Sequence, residues 1–397
     1  MKKLIAMLLA LVMTLSLVAC GGAAEAPATE APAAEAPAAE APAAEEAESG
    51  LPKTDGTTVY VLGPTPDHGW TAQAGVYAQQ ACDEITAAGK YKGVYYGAND
   101  AEEQVDQINA VIANGDAAAV VLFAMDYGAL AGELAVIEEG IPLIQFDRII
   151  EETKGDVILN ASGDNWQAGA GIAKYLQECG LNPGDTLVTL YGDNGIVCND
   201  REAGFRQFLM GELDYYDRAE DKTYHTTEVW TKEQLDEAMA DYSYVCNWSA
   251  DASYGYLEQK LEEIVGVAKA NTNELYIYSM DDEMTFGMLN LLEGNAISDA
   301  TKADLEAMNV AISAIGGMEE LYQVMRGESS QSPLADQYFD GLMSVFFSPT
   351  MMKDVIYRMM DYLEGNWEYE ELGAAEYVQV FLVDRENAGD YVGFTGH

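Results

Sequence analysis

Basic residues are scarce in this 397-residue chain. Twenty lysines and arginines stand against 67 aspartates and glutamates, a formal net charge of −47. Such a field repels phosphate backbones and anionic headgroups, so nucleic acid is excluded as a partner and so is electrostatic docking on a membrane surface. Histidine is rarer still. His68, His225 and His397 are scattered, so no histidine-based metal site is expected. G-x-S-x-G, H-E-x-x-H, a P-loop and a D-x-[DN]-x-[DN]-G calcium loop are all missing. "GAGIAK" (169–174) lacks a third glycine and does not directly follow a strand, so it reads as a helix-packing stretch and not as a dinucleotide fingerprint. Neither an enzyme nor a cofactor is expected. "DDE" (281–283) reads either as a carboxylate cluster for a cation or as acids favoured at a helix N-terminus.

Long apolar runs are also few. One exists, "LIAMLLALVMTLSLV" (4–18), behind Lys2 and Lys3. It is too short for a comfortable membrane span and has the form of a secretory signal. It runs into "LVAC" (17–20), which closely resembles the bacterial lipobox. The resemblance implies a signal peptide over 1–19 and lipidation of Cys20, with the rest of the chain extracytoplasmic and anchored to the cell membrane by lipid. Residues 23–50 repeat Glu-Ala-Pro-Ala-Ala without a large apolar side chain, so they build no core. Proline and like charges keep such a segment extended, on the order of 80–90 Å at ~3 Å per residue. A stalk over 20–56 is expected. Cys82, Cys179, Cys198 and Cys246 remain. Their spacing specifies no pairing, and they read as small buried hydrophobes.

What is present beyond residue 56 is regular. "TVYVLG" (58–63), "KGVYYG" (92–97), "AAVVLFA" (118–124), "IPLIQF" (141–146) and "DVILN" (156–160) read as strands separated by amphipathic helices. The alternation restarts with a helix over 166–180, a strand over 185–192 and a helix around 202–212. Further strands read at 243–248, 274–279, 309–315, 343–349 and 377–383. The stretch 213–242 is irregular and reads as an insertion. Near-continuous apolar strands alternating with helices imply parallel sheets covered on both faces, here in two α/β lobes of similar size. Ligands of such sheets sit beyond the carboxyl ends of the strands. Asp147 and Arg148 fall there, directly after "IPLIQF". An arginine fork and a carboxylate together satisfy vicinal hydroxyls, which both donate and accept.

Lipobox, stalk, two lobes and "DR" after the fourth strand resemble the ribose/galactose-type sugar-binding lipoproteins of bacterial ABC importers. "PTPDHGW" (64–70), "GDNWQAGAGIAKYL" (163–176), "NDREAGF" (199–205), "NWSADASYGY" (247–256) and "SMDDEMTFGML" (279–289) occur in the family's order. The resemblance spans roughly 57–383. It implies a type I periplasmic binding protein: two doubly wound parallel-sheet lobes joined by a three-strand hinge, with crossings near 160–164, 346–349 and 374–377. The lobes are expected over 57–163 plus 349–375 and over 164–348 plus 376–397. It further implies a monomeric binder that captures a monosaccharide between the lobes, closes, and is recognised by permease subunits. Trp70 and Trp248 are expected to cover the two faces of the sugar. Asp67, Asp147 and Asp281 would accept from hydroxyls, Arg148 and Arg201 would donate, and Asn165 would do both while capping a helix. His68 completes the set. The family's Gly-Phe-Asp is "SAIGG" (313–317) here, and Phe123 and Phe347 stand at positions of an Asn and a Gln that contact ribose. These departures disfavour ribose. A nucleoside or other non-sugar ligand is the alternative, as are a sensor subunit that hands ligand to a receptor and, more distantly, an adhesin.

Overall fold

The computed structural model describes residues 51–66 and 69–395. The signal-like segment, Cys20, most of the stalk, Asp67, His68 and His397 lie outside the described residues.

The first run is β1 (Thr58–Pro64), α1 (Gly69–Ala88), β2 (Lys92–Ala98), α2 (Ala101–Asn114), β3 (Ala117–Phe123), α3 (Leu130–Glu138), β4 (Leu143–Phe146) and β5 (Leu159–Gly163). β1, β3, β4 and β5 are buried at every position, which is why β1 and β3 read as near-continuous apolar runs. α2 shows local sequence control at both ends. Asp100 accepts the Glu103 N–H at 2.8 Å, and Gly115 stops the helix at φ 68°.

The second run is α4 (Asn165–Glu178), β6 (Thr186–Tyr191), α5 (Ile196–Leu209), β7 (Tyr215–Asp217), β8 (Lys222–Tyr224), α6 (Lys232–Ala240), β9 (Ser243–Val245), α7 (Ala250–Asn271), β10 (Glu274–Ser279), α8 (Asp282–Glu293), α9 (Asp299–Glu306), β11 (Asn309–Gly316), α10 (Glu319–Met325), α11 (Ser332–Tyr338) and β12 (Gly341–Phe346). The irregular stretch 213–242 contains the β7–β8 antiparallel hairpin and α6, whose N-terminus carries a Thr231/Gln234 capping box. The chain then returns to the first lobe for α12 (Met351–Glu364), which packs on α1, and for β13 (Ala374–Val378), before ending near β14 (Phe381–Asp384).

The two sheets have the orders β13-β5-β4-β3-β1-β2 and β14-β12-β11-β10-β6-β9. All pairings are parallel except β12 with β14. In each sheet the first strand of its run, β1 or β6, lies one in from the edge, so connections leave it in both directions. That is the switch point at which an open α/β sheet forms its crevice.

The single strand expected over 377–383 is two strands in two sheets. β13 pairs with β5 in the first, and β14 pairs with β12 in the second. The apolar pattern runs through both because Val380 between them is also buried. The third passage between lobes therefore lies at 379–380 and not at 374–377. β5 runs to Gly163, three residues past the expected strand, and α5 begins at Ile196, ahead of the expected start. All four described cysteines are free thiols; Cys82, Cys198 and Cys246 are buried, while Cys179 is only partly so.

Helices α4 and α5 meet without intervening side chains. A Cβ on Gly169 would stand 1.9 Å from the Arg201 carbonyl oxygen, and one on Gly204 would stand 2.0 Å from that of Trp166. These glycines serve close helix approach, and they fix where Arg201 sits. Gly204→Ala is expected to cost about 1–3 kcal/mol, because backbone on both sides must part. Urea unfolding measures this; an unchanged midpoint would show that the two helices separate freely.

Candidate functional site

The carboxyl ends of the two sheets face one another across a cavity of ≈ 480 Å³. One wall comes from the ends of β1, β3 and β4, the other from the ends of β6, β9, β10 and β11, with Phe347 on the passage between.

On the first wall, the chain turns sharply after β4. Asp147 has φ 64°, its N–H donates to Ala161 O at 2.8 Å, and the Arg148 N–H donates back to Phe146 O at 2.8 Å. This three-residue turn is strained for a residue with a Cβ. It holds Asp147 against the cavity, 8% exposed. The carboxylate takes no side-chain hydrogen bond from the described residues. Burial pushes its pKa up, opposed by the Arg148 and then the Arg201 charge. Arg148 donates from Nη1 to Met125 O, lies over the Phe123 ring at 5.5 Å, and reaches Asp193 on the opposite wall at 3.9 Å.

Arg201 anchors the second wall. It is 4% exposed and lies inside α5. Nε donates to Asn165 Oδ1 at 2.9 Å and Nη1 donates to Met280 O at 2.6 Å. Its guanidinium lies 5.6 Å from the Trp248 ring centroid and 5.5 Å from that of Phe347. Asn165 is thus buried behind Arg201 and orients it; it does not line the cavity. Nor does it cap α4. That role falls to Asp164, which accepts the Gln167 N–H, and Asn165 is the first helical residue.

The tryptophans line the cavity from opposite walls. Trp70 donates from Nε1 to Phe347 O at 3.1 Å and stacks on Phe146 at 6.2 Å, with Phe123 edge-on at 6.1 Å. It is half core and half wall. Trp248 sits at φ 58° after Asn247 at φ 51° and donates from Nε1 to Asp193 at 3.1 Å. Its ring rests on Gly192, where a Cβ would come within 2.2 Å of it.

The three acids 281–283 diverge. Asp281 is the N-cap of α8, accepts the Glu283 N–H at 2.8 Å, and lines the cavity. Burial lifts its pKa well up, with Asp282 and Glu283 adding to the effect. Asp282 points into the core, accepting from Ser344 Oγ and from the Gly317 and Met318 N–H groups, each at 2.6 Å. Glu283 reaches across to Gly69 of the first wall. Among the described residues no three His, Cys, Asp or Glu side chains are grouped to hold a metal ion.

A model of the periplasmic binding protein domain matches residues 59–366. The chain belongs to this family. In structure it is similar to the periplasmic binding protein component of the arabinose ABC transporter from Shewanella sp. ANA-3, with TM-score 0.60 and 16% identity over 84% of this chain and 94% of that one. It is similar to the Caulobacter myo-inositol binding protein (TM-score 0.60, 15% identity, 86% and 97% covered). It is also similar to an ABC transporter solute binding protein from Mycobacterium smegmatis with bound glycerol (TM-score 0.61, 17% identity, 86% and 98%). At such identities the likeness is one of fold. No curated protein matches the chain in sequence.

Periplasmic binding proteins are binders and not enzymes, and membership of the family implies an extracytoplasmic location. No helix among the described residues is long and apolar enough to cross a membrane. In this periplasmic binding protein the fold brings Trp70, Asp147, Arg148, Arg201, Trp248 and Asp281 to one cavity, with Asn165 behind them; Asp67 and His68 lie outside the described residues. Sequence reasoning missed Asp193, Asn247 and Glu283. Asp193 had a usable signal. "YGDNG" follows β6 just as "FDR" follows β4, so the carboxyl-end rule that selected Asp147 selects Asp193 too.

Proposed function

We propose that this chain is the extracytoplasmic ligand-capturing subunit of an ABC importer and that it takes a monosaccharide into the cavity between its lobes. The observation that carries the reading is the pairing of Asp147 and Arg148 on one wall with Arg201 and Asp281 on the other, beside two tryptophans. Carboxylates and guanidinium forks at opposite edges match the alternating donors and acceptors of a polyol ring, and indole faces match its C–H surface. Two of the solved structures of similar fold named above are the binding component of an arabinose ABC transporter and a myo-inositol binding protein, which supports the same ligand class. Ligand that touches both walls favours the closed arrangement by its differential affinity, and permease subunits would read that arrangement. Lys2, Lys3, the apolar run and "LVAC" support attachment through a lipid on Cys20, with the acidic stalk as spacer and the chain acting as a monomer.

A second reading, a nucleoside in the same cavity, is favoured by Trp70, Phe123 and Phe347. They give the wall an aromatic density suited to a flat base.

A thermal-shift screen of the full chain against monosaccharides, pentitols, inositols and nucleosides tests both. A ligand at ~100 times its dissociation constant stabilises the fold by ~2.7 kcal/mol. A sugar response lost in Arg148→Ala and in Trp248→Ala is expected. A nucleoside response lost in the same variants would transfer the site to the second reading. Silence from folded protein would overturn both.

A further inference from the structure

The described lining of the cavity has more acidic side chains than basic ones. Among its described lining residues, Asp147, Asp193, Asp281 and Glu283 stand against Arg148 and Arg201, a formal excess of two negative charges. The arginine and indole donors are largely committed within the protein. Arg201 gives Nε to Asn165 and Nη1 to Met280 O. Arg148 gives Nη1 to Met125 O and turns Nη2 toward Asp193. Both indole N–H groups are taken, by Phe347 O and by Asp193. Two of the acceptors, Asp147 and Asp281, are not similarly committed. Asp147, more than nine-tenths buried and facing the cavity, takes no side-chain hydrogen bond from the described residues. Asp281 receives the Glu283 N–H on one oxygen, and no described donor reaches the other.

A buried carboxylate without a donor costs free energy that a ligand can recover. A hydroxyl brings one donor and no charge. An ammonium brings three donors, no acceptor and the opposite charge, inside a cleft whose low dielectric strengthens the attraction. The chain's net charge of −47 also concentrates cations near the cleft mouth and holds off anions such as uronates and sugar phosphates.

We infer that the ligand is an aminated polyol, an amino sugar with a free ammonium group that sits against Asp147 and Asp281. The inference rests on the sugar-binding reading and narrows it. Burial lifts both carboxyls in the ligand-free protein, with Arg148 and Arg201 on Asp147, and Arg201 on Asp281, compensating only in part. A cation delivered to the same place supplies the missing compensation, and the carboxyls would release protons as it binds.

Calorimetric titration of the full chain tests this with glucosamine, galactosamine and mannosamine. Each is compared with its parent hexose and its N-acetyl form at neutral pH, in low and high salt. At least one free amine is expected to bind roughly tenfold or more tightly than both of its neutral counterparts, a gap that narrows as salt rises. Asp147→Asn and Asp281→Asn keep the shape and remove the charge, and are expected to bring the amine and the hexose to parity. A neutral hexose that binds as well as the amine, and that needs Arg148, would overturn the amine and leave the sugar site standing. No binding of any sugar, aminated or neutral, to folded protein would overturn both. A preference for the amine that survives both Asn variants would place the cation elsewhere and overturn the assignment to these two acids.

Discussion

Arg201→Ala is expected to abolish ligand response and to cost the unliganded protein about 3–5 kcal/mol, the usual penalty for stripping one partner from a buried charge set. Few residues here do as much at once. Arg201 is 4% exposed, satisfies Asn165 Oδ1 and Met280 O, fills the space between Trp248 and Phe347, and offsets the charge of Asp147 and Asp281. Removing it leaves two buried acceptors without a donor, each costing about 1–3 kcal/mol before relaxation. It also lets the pKa of both carboxyls rise further. A carboxyl lifted in the folded state holds its proton where the unfolded chain has lost it, so stability falls as pH rises above the unfolded value. The variant should therefore show a steeper loss of stability toward neutral pH than the parent. Arg201→Lys keeps the charge without the fork and is expected to fall between the two. Urea unfolding at mildly acid and neutral pH provides the measurement. Parent-like stability of the alanine variant would show that Arg201 is not the counter-charge of this cleft.

The second large effect is a gain. Glu133 lies on α3 at 0% exposure, with one oxygen accepting from Thr153 Oγ at 2.6 Å and the other without a partner. Burial pushes its carboxyl from the ordinary 4.5 to about 7. The folded state therefore binds a proton that the unfolded state has released between those values, and stability falls as pH rises through this window. Above about pH 7 the full penalty applies, at most about 3 kcal/mol. Glu133→Met keeps the length and removes the charge and the orphan oxygen, while Thr153 Oγ retains Ile150 O as an acceptor at 3.1 Å. The variant is expected to gain about 2–3 kcal/mol above neutral pH, to match the parent below the unfolded value, and to lose the slope between. Parallel pH profiles of the two proteins would rule out Glu133 as the source. The thrift of nature is not obvious at this position, since the same network ties Thr153 and Gln145 beneath the loop that follows Arg148. A stabilised variant with weakened ligand response would mean that the polar network is retained for the site.

Much of the fold was legible because its strands are buried on both faces. "ELYIYS" is a strand to the residue, and "NVAISAI" nearly so, since no alternation blurs an apolar run between two polar flanks. Legibility failed where the chain changes partners without changing character. Tyr377 to Val383 keeps one apolar rhythm across two sheets, and nothing in that rhythm marks Gln379 as the place of departure. The site was legible where a rule about strand ends applied, as at Asp147 and Arg148, whereas Asp281 came through the family resemblance. Asn165 was drawn to the ligand by its neighbours in sequence, but only three-dimensional packing reveals that its amide faces Arg201. The turn that presents Asp147 depends on a φ that sequence patterns assign to glycine, so its strain was invisible beforehand.

The link from β13 to β14 bears on how this molecule can move. Val378 and Phe381 are three Cα steps apart, at most about 11 Å at full stretch. Gly163 and Asn165, on the parallel link, are two steps apart. Leashes this short act as a fixed fulcrum: the sheets can swing apart like the halves of a shell but cannot drift apart. Atoms beside the fulcrum travel least, so Phe347, which rides on the remaining link, stays close to Trp70 and Arg201 throughout the swing. Asp193 follows β6, three strands from β12 in its sheet, and so would carry more of the opening.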